Sequence, residues 1–282
     1  MCEIPKNFVT YDMVHNLRYD KSKIKKRHDM KPTKYWPGAR FMIVGQDGDL
    51  NTAAYSVAGF MQEPFQLFPL ATVAVHQSIR DKFIAMVRSR FRQLKPHVAN
   101  HPNYERSLNL LKDECQPPVD YVLADEKDAP ACASPILVTG GVTHLYFPSG
   151  ATGVTTLHTF ETIQEAAEIF GREQPHFDAV YYFDEGIASV YTLAKLIKCV
   201  QIYVNCLDAC LLAIMPYYIS KVQTVLYKNG FHYEVLNIGD SWKMIVFPYN
   251  SSIIRPCCCP LGYCRCNAKH TVCCQDHLNT HY

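Results

Sequence analysis

The last 26 residues, CCCPLGYCRCNAKHTVCCQDHLNTHY, hold seven of the chain's 13 cysteines together with His270, His277 and His281. Thiolate and imidazole donors spaced this closely suit tetrahedral zinc, with Pro260 and Gly262 turning the backbone between short knuckles. The expected ligands are Cys259, Cys264, Cys266, Cys273 and His277. They exceed one tetrahedral site, so either two ions bind or some cysteines are spare. Palmitoylation of Cys257–Cys259 and an unstructured tail with reactive thiols are the competing readings. The odd cysteine total and an N-terminus without an apolar leader favour reduced thiols, and with them a cytoplasmic setting. Cys2, Cys115, Cys132, Cys199, Cys206 and Cys210 sit mostly in apolar surroundings and read as structural.

A second set of chemistry-bearing residues follows strand-like runs: Gly140 and Gly141, Asp184 and Glu185, Asn205, and Asp208. Beyond the carboxyl ends of parallel strands, such residues suit a nucleoside-containing ligand, and Gly140, Gly141, Asp184 and Asn205 are the candidate cofactor contacts. The plainer reading makes the glycines a turn and the aspartates helix caps. A third set is basic. KSKIKKRHDMKPTK at 21–34 has seven basic side chains against Asp29, and Arg88 and Arg92 lie in a basic stretch at 78–95. Lys23, Lys25, Lys26, Arg27, Arg88 and Arg92 are the candidate RNA phosphate contacts, with ordinary solvation as the alternative. No GxxxxGK, GxSxG or HExxH motif occurs.

The elements that would position these groups are an α/β set. The chain has 282 residues, 48% apolar and 19% charged, with a formal charge of +2, which excludes general disorder and gives no global signature for nucleic acid or membrane. No apolar run is long enough to span a bilayer. RFMIVG (40–45) reads as a strand, and LATVAV (70–75) as another that could complete the sheet. Apolar residues from Ile79 to Leu94 recur at helical spacing and predict a helix over 78–95, and a further helix is expected at 103–113. The proline-rich stretch near 115–135 marks a sub-boundary. Thereafter ILVTGG (136–141), THLYF (143–147), FDAVYYFDE (177–185) and VQIYVN (200–205) read as strands, and 160–171 and 187–198 as helices. A long helical stretch at 207–229, read as two helices or as one that restarts at Pro216, and a terminal hairpin, 231–239 with 242–249, complete the set. Tyr181, Tyr182, Phe183 and Phe247, among 18 Tyr and 14 Phe, read as core.

The expected fold is therefore a Rossmann-like three-layer α/β sandwich with a mostly parallel sheet and a C-terminal antiparallel hairpin. Three regions are expected: a basic arm at 1–40, the α/β domain at 41–250 and a zinc-binding module at 251–282. Over 136–249 the element order resembles Rossmann-like methyltransferases that use S-adenosylmethionine. The stretch RCNAKHTVCCQDHLN (265–279) resembles the zinc site of the nidovirus and coronavirus guanine-N7 cap methyltransferases. By that likeness Cys266, Cys273 and His277 are ligands, with one of Cys257, Cys258 or Cys259 as the fourth. The resemblance implies methyl transfer from S-adenosylmethionine to RNA, the viral mRNA cap included, in the cytoplasm of an infected cell. The alternative is a non-catalytic, zinc-containing protein that binds RNA or protein on a degenerate Rossmann-like scaffold. The sequence does not specify an oligomeric state.

Overall fold

A computed structural model describes residue 36 and residues 38–249, apart from 114–117, 174, 208 and 240. All of these belong to one compact unit that begins at residue 34. The basic arm up to Lys34, Asp208 and the Cys/His tail from residue 250 onward lie outside the described residues.

Among the described residues ten strands form one sheet in the order β3-β4-β5-β2-β1-β6-β7-β10-β9-β8. At its centre are β1 (Arg40–Val44), β2 (Leu70–His76), β6 (Ala179–Phe183) and β7 (Gln201–Val204). These are short apolar runs, β-branched or aromatic in large part and buried on both faces, as a covered parallel sheet demands. Beyond β2 lie β5 (Val154–Phe160), β4 (Ile136–Val138) and the two-residue β3 (Tyr121–Val122). On the far side, β10 (Ser241–Pro248) runs parallel to β7, with β9 (Phe231–Ile238) and β8 (Thr224–Lys228) antiparallel beyond it. The expected mostly parallel sheet with C-terminal antiparallel strands is present, and strands from both halves of the chain share it.

Among the described residues seven helices accompany it: α1 (Leu50–Gln62), α2 (Arg80–Arg88), α3 (Pro96–Ala99), α4 (Pro102–Lys112), α5 (Ile163–Arg172), α6 (Ile187–Leu196) and α7 (Met215–Ser220). One core lies between α1, α2 and the sheet face carrying Met42, Val73, Tyr181 and Val246. The opposite face, with Phe41, Ile43, Tyr182 and Ile245, packs against α5 and α6 through Ala166, Ile169, Val190 and Leu193. A third core seats Tyr104 and Leu108 of α4 on Ile136 and Val138 of β4. The connections that leave β1 and β2 thus cross one face, and those that leave β5 and β6 cross the other.

Three expected elements differ. The helix over 78–95 is α2 alone, ending at Arg88. Phe91 and Leu94 are still buried, but in a turn and an extended segment whose Leu94 N–H donates to Ala133, so their helical spacing has a tertiary origin. THLYF is no strand: His144–Tyr146 make a 3-10 turn because the His144 side chain is drawn inward. The long helix at 207–229 does not form. A 3-10 turn (Leu211–Ala213) and the six-residue α7 precede Lys221, whose left-handed backbone (φ 56°) stops the helix before the strand TVLYK. α1 and β5 were not anticipated, nor were the short α3 and β3 or the strand β8. Among the described residues no helix is long and apolar enough to cross a membrane.

The β1–α1 junction depends on close backbone approach. A Cβ at Gly48 would stand 2.4 Å from the Phe183 carbonyl oxygen, whereas one at Gly59 in α1 would meet nothing within 4 Å. Gly48→Ala is expected to destabilise by about 1–3 kcal/mol, and Gly59→Ala to stabilise by about 0.5–1 kcal/mol. Urea unfolding of the two variants beside the parent protein measures both signs.

Candidate active site

The first candidate position is the carboxyl edge of β1 and β6, where their connections part to opposite faces. It is closed from within. A Cβ on Gly45 would fall 2.5 Å from the Asp184 carboxyl carbon, so the two chain segments are in contact there. Asp184 Oδ1 accepts from the Glu185 N–H (2.9 Å), and Oδ2 accepts from the Tyr182 hydroxyl (3.0 Å). Asn205 bridges β6 and β7, donating to the Asp184 carbonyl (2.7 Å) and accepting from the Asp184 N–H (2.9 Å). At the head of α1, Asp49 accepts from the N–H groups of Asn51 (3.0 Å) and Thr52 (3.2 Å). A carboxylate of the chain itself thus sits where that helix would otherwise receive an anion.

Gly140 and Gly141 are not part of this edge. They follow β4, four strands from β6 in the sheet order, roughly 19 Å at the usual strand spacing. The expected group Gly140, Gly141, Asp184, Asn205 is therefore two places. Gly140 is a close-packing residue, since a Cβ there would lie 2.6 Å from the Asp120 nitrogen. Arg88 donates to Asp125 (2.7 Å) and to the Leu123 carbonyl (3.1 Å), and Arg92 to the Phe91 carbonyl (2.6 Å). These guanidinium groups already have intramolecular partners. Lys23, Lys25, Lys26, Arg27 and the tail donors Cys259, Cys264, Cys266, Cys273 and His277 lie outside the described residues. Among the described residues no group of three His, Cys, Asp or Glu side chains is placed to hold a metal.

An open site lies along the carboxyl-terminal half of β5. The β4–β5 ladder ends at Val138 and Thr156, while β5 continues to Phe160. The chain after β4 is held away because the N–H groups of Thr139 and Gly140 both donate to the Asp120 carbonyl (2.8 and 2.9 Å). The resulting gap is a cleft of about 430 Å³, lined by Gln77, Arg80 and Asp81 after β2, Thr139 and Gly141 after β4, Leu157, His158 and Thr159 of β5, and Arg172 of α5. Leu157 is the one apolar lining side chain. Arg80 is paired with Asp81 (2.7 Å), and Arg172 is exposed, with no carboxylate partner among the described residues.

Behind the cleft is a buried carboxylate. Glu173, with its side chain fully buried, faces His158 Nε2 at 2.8 Å, accepts from the Thr156 hydroxyl at 2.9 Å and from the His144 N–H at 3.0 Å. His144 Nε2 lies 2.8 Å from the Ala71 carbonyl, and the Thr156 hydroxyl 2.9 Å from that of Thr72. Burial by itself would raise the Glu173 carboxyl. The His158 hydrogen bond, the neighbouring His144 and the His144 N–H outweigh it and hold the carboxyl at about 2. His158 is 7% exposed and lies on the cleft wall. With Nε2 committed to Glu173, Nδ1 is the ring nitrogen left for the cleft.

No sequence motif marks this site. Its one local signal is a polar histidine at an inward position of VTTLHTF, beside an acid that ends an amphipathic helix.

Because the folded-state value of Glu173 lies below its ordinary 4.5, its stabilisation is present above that pH and lost as pH falls towards 2. The expected loss is roughly 3 kcal/mol. Glu173→Gln should flatten that acid limb and destabilise the protein at pH 7 by a similar amount. Urea midpoints of parent and variant across the two pH values measure the difference.

Comparison with known proteins gives no match among curated proteins. Solved structures of related arrangement include the aldehyde dehydrogenase KauB from Pseudomonas aeruginosa, at 18% identity and TM-score 0.47, over 62% of this chain and 39% of that one. Lactaldehyde dehydrogenase from Escherichia coli is similar at 14% identity and TM-score 0.45, over 60% and 39%. The chain thus spans about two fifths of the length of these proteins. Among the described residues the long helix at 207–229 that carried the methyltransferase resemblance is absent, and the six-residue α7 and the strand β8 stand in its place. The reading as an S-adenosylmethionine-dependent RNA methyltransferase of viral type is therefore corrected, and its non-catalytic zinc-protein alternative finds no support. A family model described as "Protein of unknown function (DUF1487)" matches residues 35–253, well over half of the sequence, and the chain belongs to that family.

Proposed function

We propose that this protein binds a small anion in the cleft beside β5. The observation that carries the reading is Arg172, exposed and without a carboxylate partner among the described residues, on the wall of a polar cleft that Arg80 also lines. Asp81 offsets one of the two guanidinium charges, so the arginines and aspartate of the lining leave one net positive charge. Planar guanidinium groups suit carboxylate and phosphate-type oxygens in paired hydrogen bonds. The position also agrees with the rule for open α/β sheets. The cleft gathers segments that follow the carboxyl ends of β2 and β4, and the connections from β2 and β5 diverge to opposite faces. The β1–β6 edge, by contrast, is occupied by the chain's own carboxylates.

Isothermal titration with sodium sulfate tests the proposal. Arg172→Gln should weaken sulfate binding about tenfold or more, the equivalent of one charge-assisted hydrogen bond. Arg106→Gln, on α4 and outside the cleft lining, should leave it unchanged. Equal weakening by both variants, or by neither, would sink the assignment.

A further inference from the structure

Resting on that anion-binding reading, we infer that His158 is the proton-transfer group of the cleft and takes up a proton at Nδ1 when a small dianion binds. The geometry supplies the first part. The Glu173 carboxylate lies 2.8 Å from Nε2 and has no other ring nitrogen as close, so Nε2 carries the hydrogen that it accepts. Nδ1 then holds a lone pair and has no protein partner among the described residues. A histidine fixed in one tautomer by a buried acid, with its second nitrogen open to a ligand, is the arrangement that general acid–base chemistry requires.

The charges around the ring supply the second part. Glu173, at the end of α5, favours a cationic ring, and Asp81, from α2, does so from the cleft wall. Arg172 of α5 and Arg80 of α2 oppose it. His144 of the 3-10 turn and His76 of β2 are the other titratable groups on neighbouring elements, and both have partners: the Ala71 carbonyl (2.8 Å) and the Ser78 hydroxyl (2.7 Å). In the open cleft the two guanidinium groups thus offset the two carboxylates that favour the cationic ring. A seated dianion removes that opposition and adds its own attraction, so binding and proton uptake are linked. The balance is simple: one proton leaves solvent, Nδ1 becomes N–H, and the imidazolium lies between Glu173 and the bound anion. On a reactive substrate of the same charge class, that proton is the one His158 would deliver or take back.

Sulfate stays a dianion near neutral pH, so any proton taken up as it binds belongs to the protein. Titration of the full chain with sodium sulfate at pH 7, in two buffers of different ionisation enthalpy, should give buffer-dependent heats that correspond to uptake approaching one proton. His158→Gln should bind sulfate more weakly and lose the buffer dependence. In the parent protein, ¹⁵N spectra of the imidazoles locate the proton without a variant: His158 Nδ1 should move from its lone-pair shift to its protonated shift as sulfate is added. Equal heats in both buffers would overturn the inference and leave the anion site standing. Buffer dependence that persists in His158→Gln would overturn it as well, by placing the proton elsewhere. Absence of sulfate binding by the parent protein would overturn the anion reading and this inference together.

Discussion

The fully buried carboxylate of Glu173 is the interaction on which this end of the molecule depends. It joins four pieces of chain: the end of α5, the centre of β5 through Thr156 and His158, the 3-10 turn through the His144 N–H, and β2 at one remove through Thr72 and Ala71. An ionised group in such a place survives only when its oxygens are saturated with donors. That requirement places His144, and with it the turn at 144–146, where a strand would leave the carboxylate short of a hydrogen bond. It also turns the His158 ring so that one nitrogen faces inward. Trp36 closes the arrangement, its ring edge-on to His144 at 4.6 Å.

Divergent connections at the carboxyl edge of an open sheet create more than one crevice, and packing decides which stays open. Between β1 and β6 the absence of two side chains, at Gly45 and Gly48, lets the following loop collapse onto Phe183 and Asp184. Between β6 and β7 the Asn205 amide spans the gap in both directions. Beside β5 the balance is reversed. Gly140 allows the chain after β4 to approach Asp120, and that approach takes it away from β5. Glycine contacts thus close one crevice and open another, through the same close approach of backbone.

Much of the sheet was legible in the sequence because its central strands carry uninterrupted apolar side chains: RFMIV, AVYYF and QIYV are strands under any face assignment. The hairpin at 231–249 was equally plain. β5 was not, because the apolar residues of VTTLHTF, Val154, Leu157 and Phe160, stand three apart rather than alternating, and Thr156 and His158 are satisfied by tertiary partners. α1 was hidden for a different reason. Apart from Met61 its inward face is Ala53, Ala54, Ser56, Val57 and Ala58, small residues that fit a helix close to the sheet but leave little apolar periodicity to count. The opposite error occurred at 79–94, where apolar spacing outlasted the helix.

The candidate site could not have been found as a motif, since its lining comes from segments near 77–81, 139–141, 157–159 and 172. What sequence holds instead is a set of misfits. A histidine stands in line with Val154, Thr156 and Phe160, on a strand face that packing should make apolar. An acid follows Ile169 at the helical spacing of the buried face. Each alone reads as a tolerated exception, and together they describe a charge and its partner brought inside. Clustered cysteines attract attention because their chemistry is visible at short range. A buried acid and histidine fifteen positions apart become visible only once the packing periods of strand and helix are laid side by side, and a polar residue that breaks both is the point at which to look for a site.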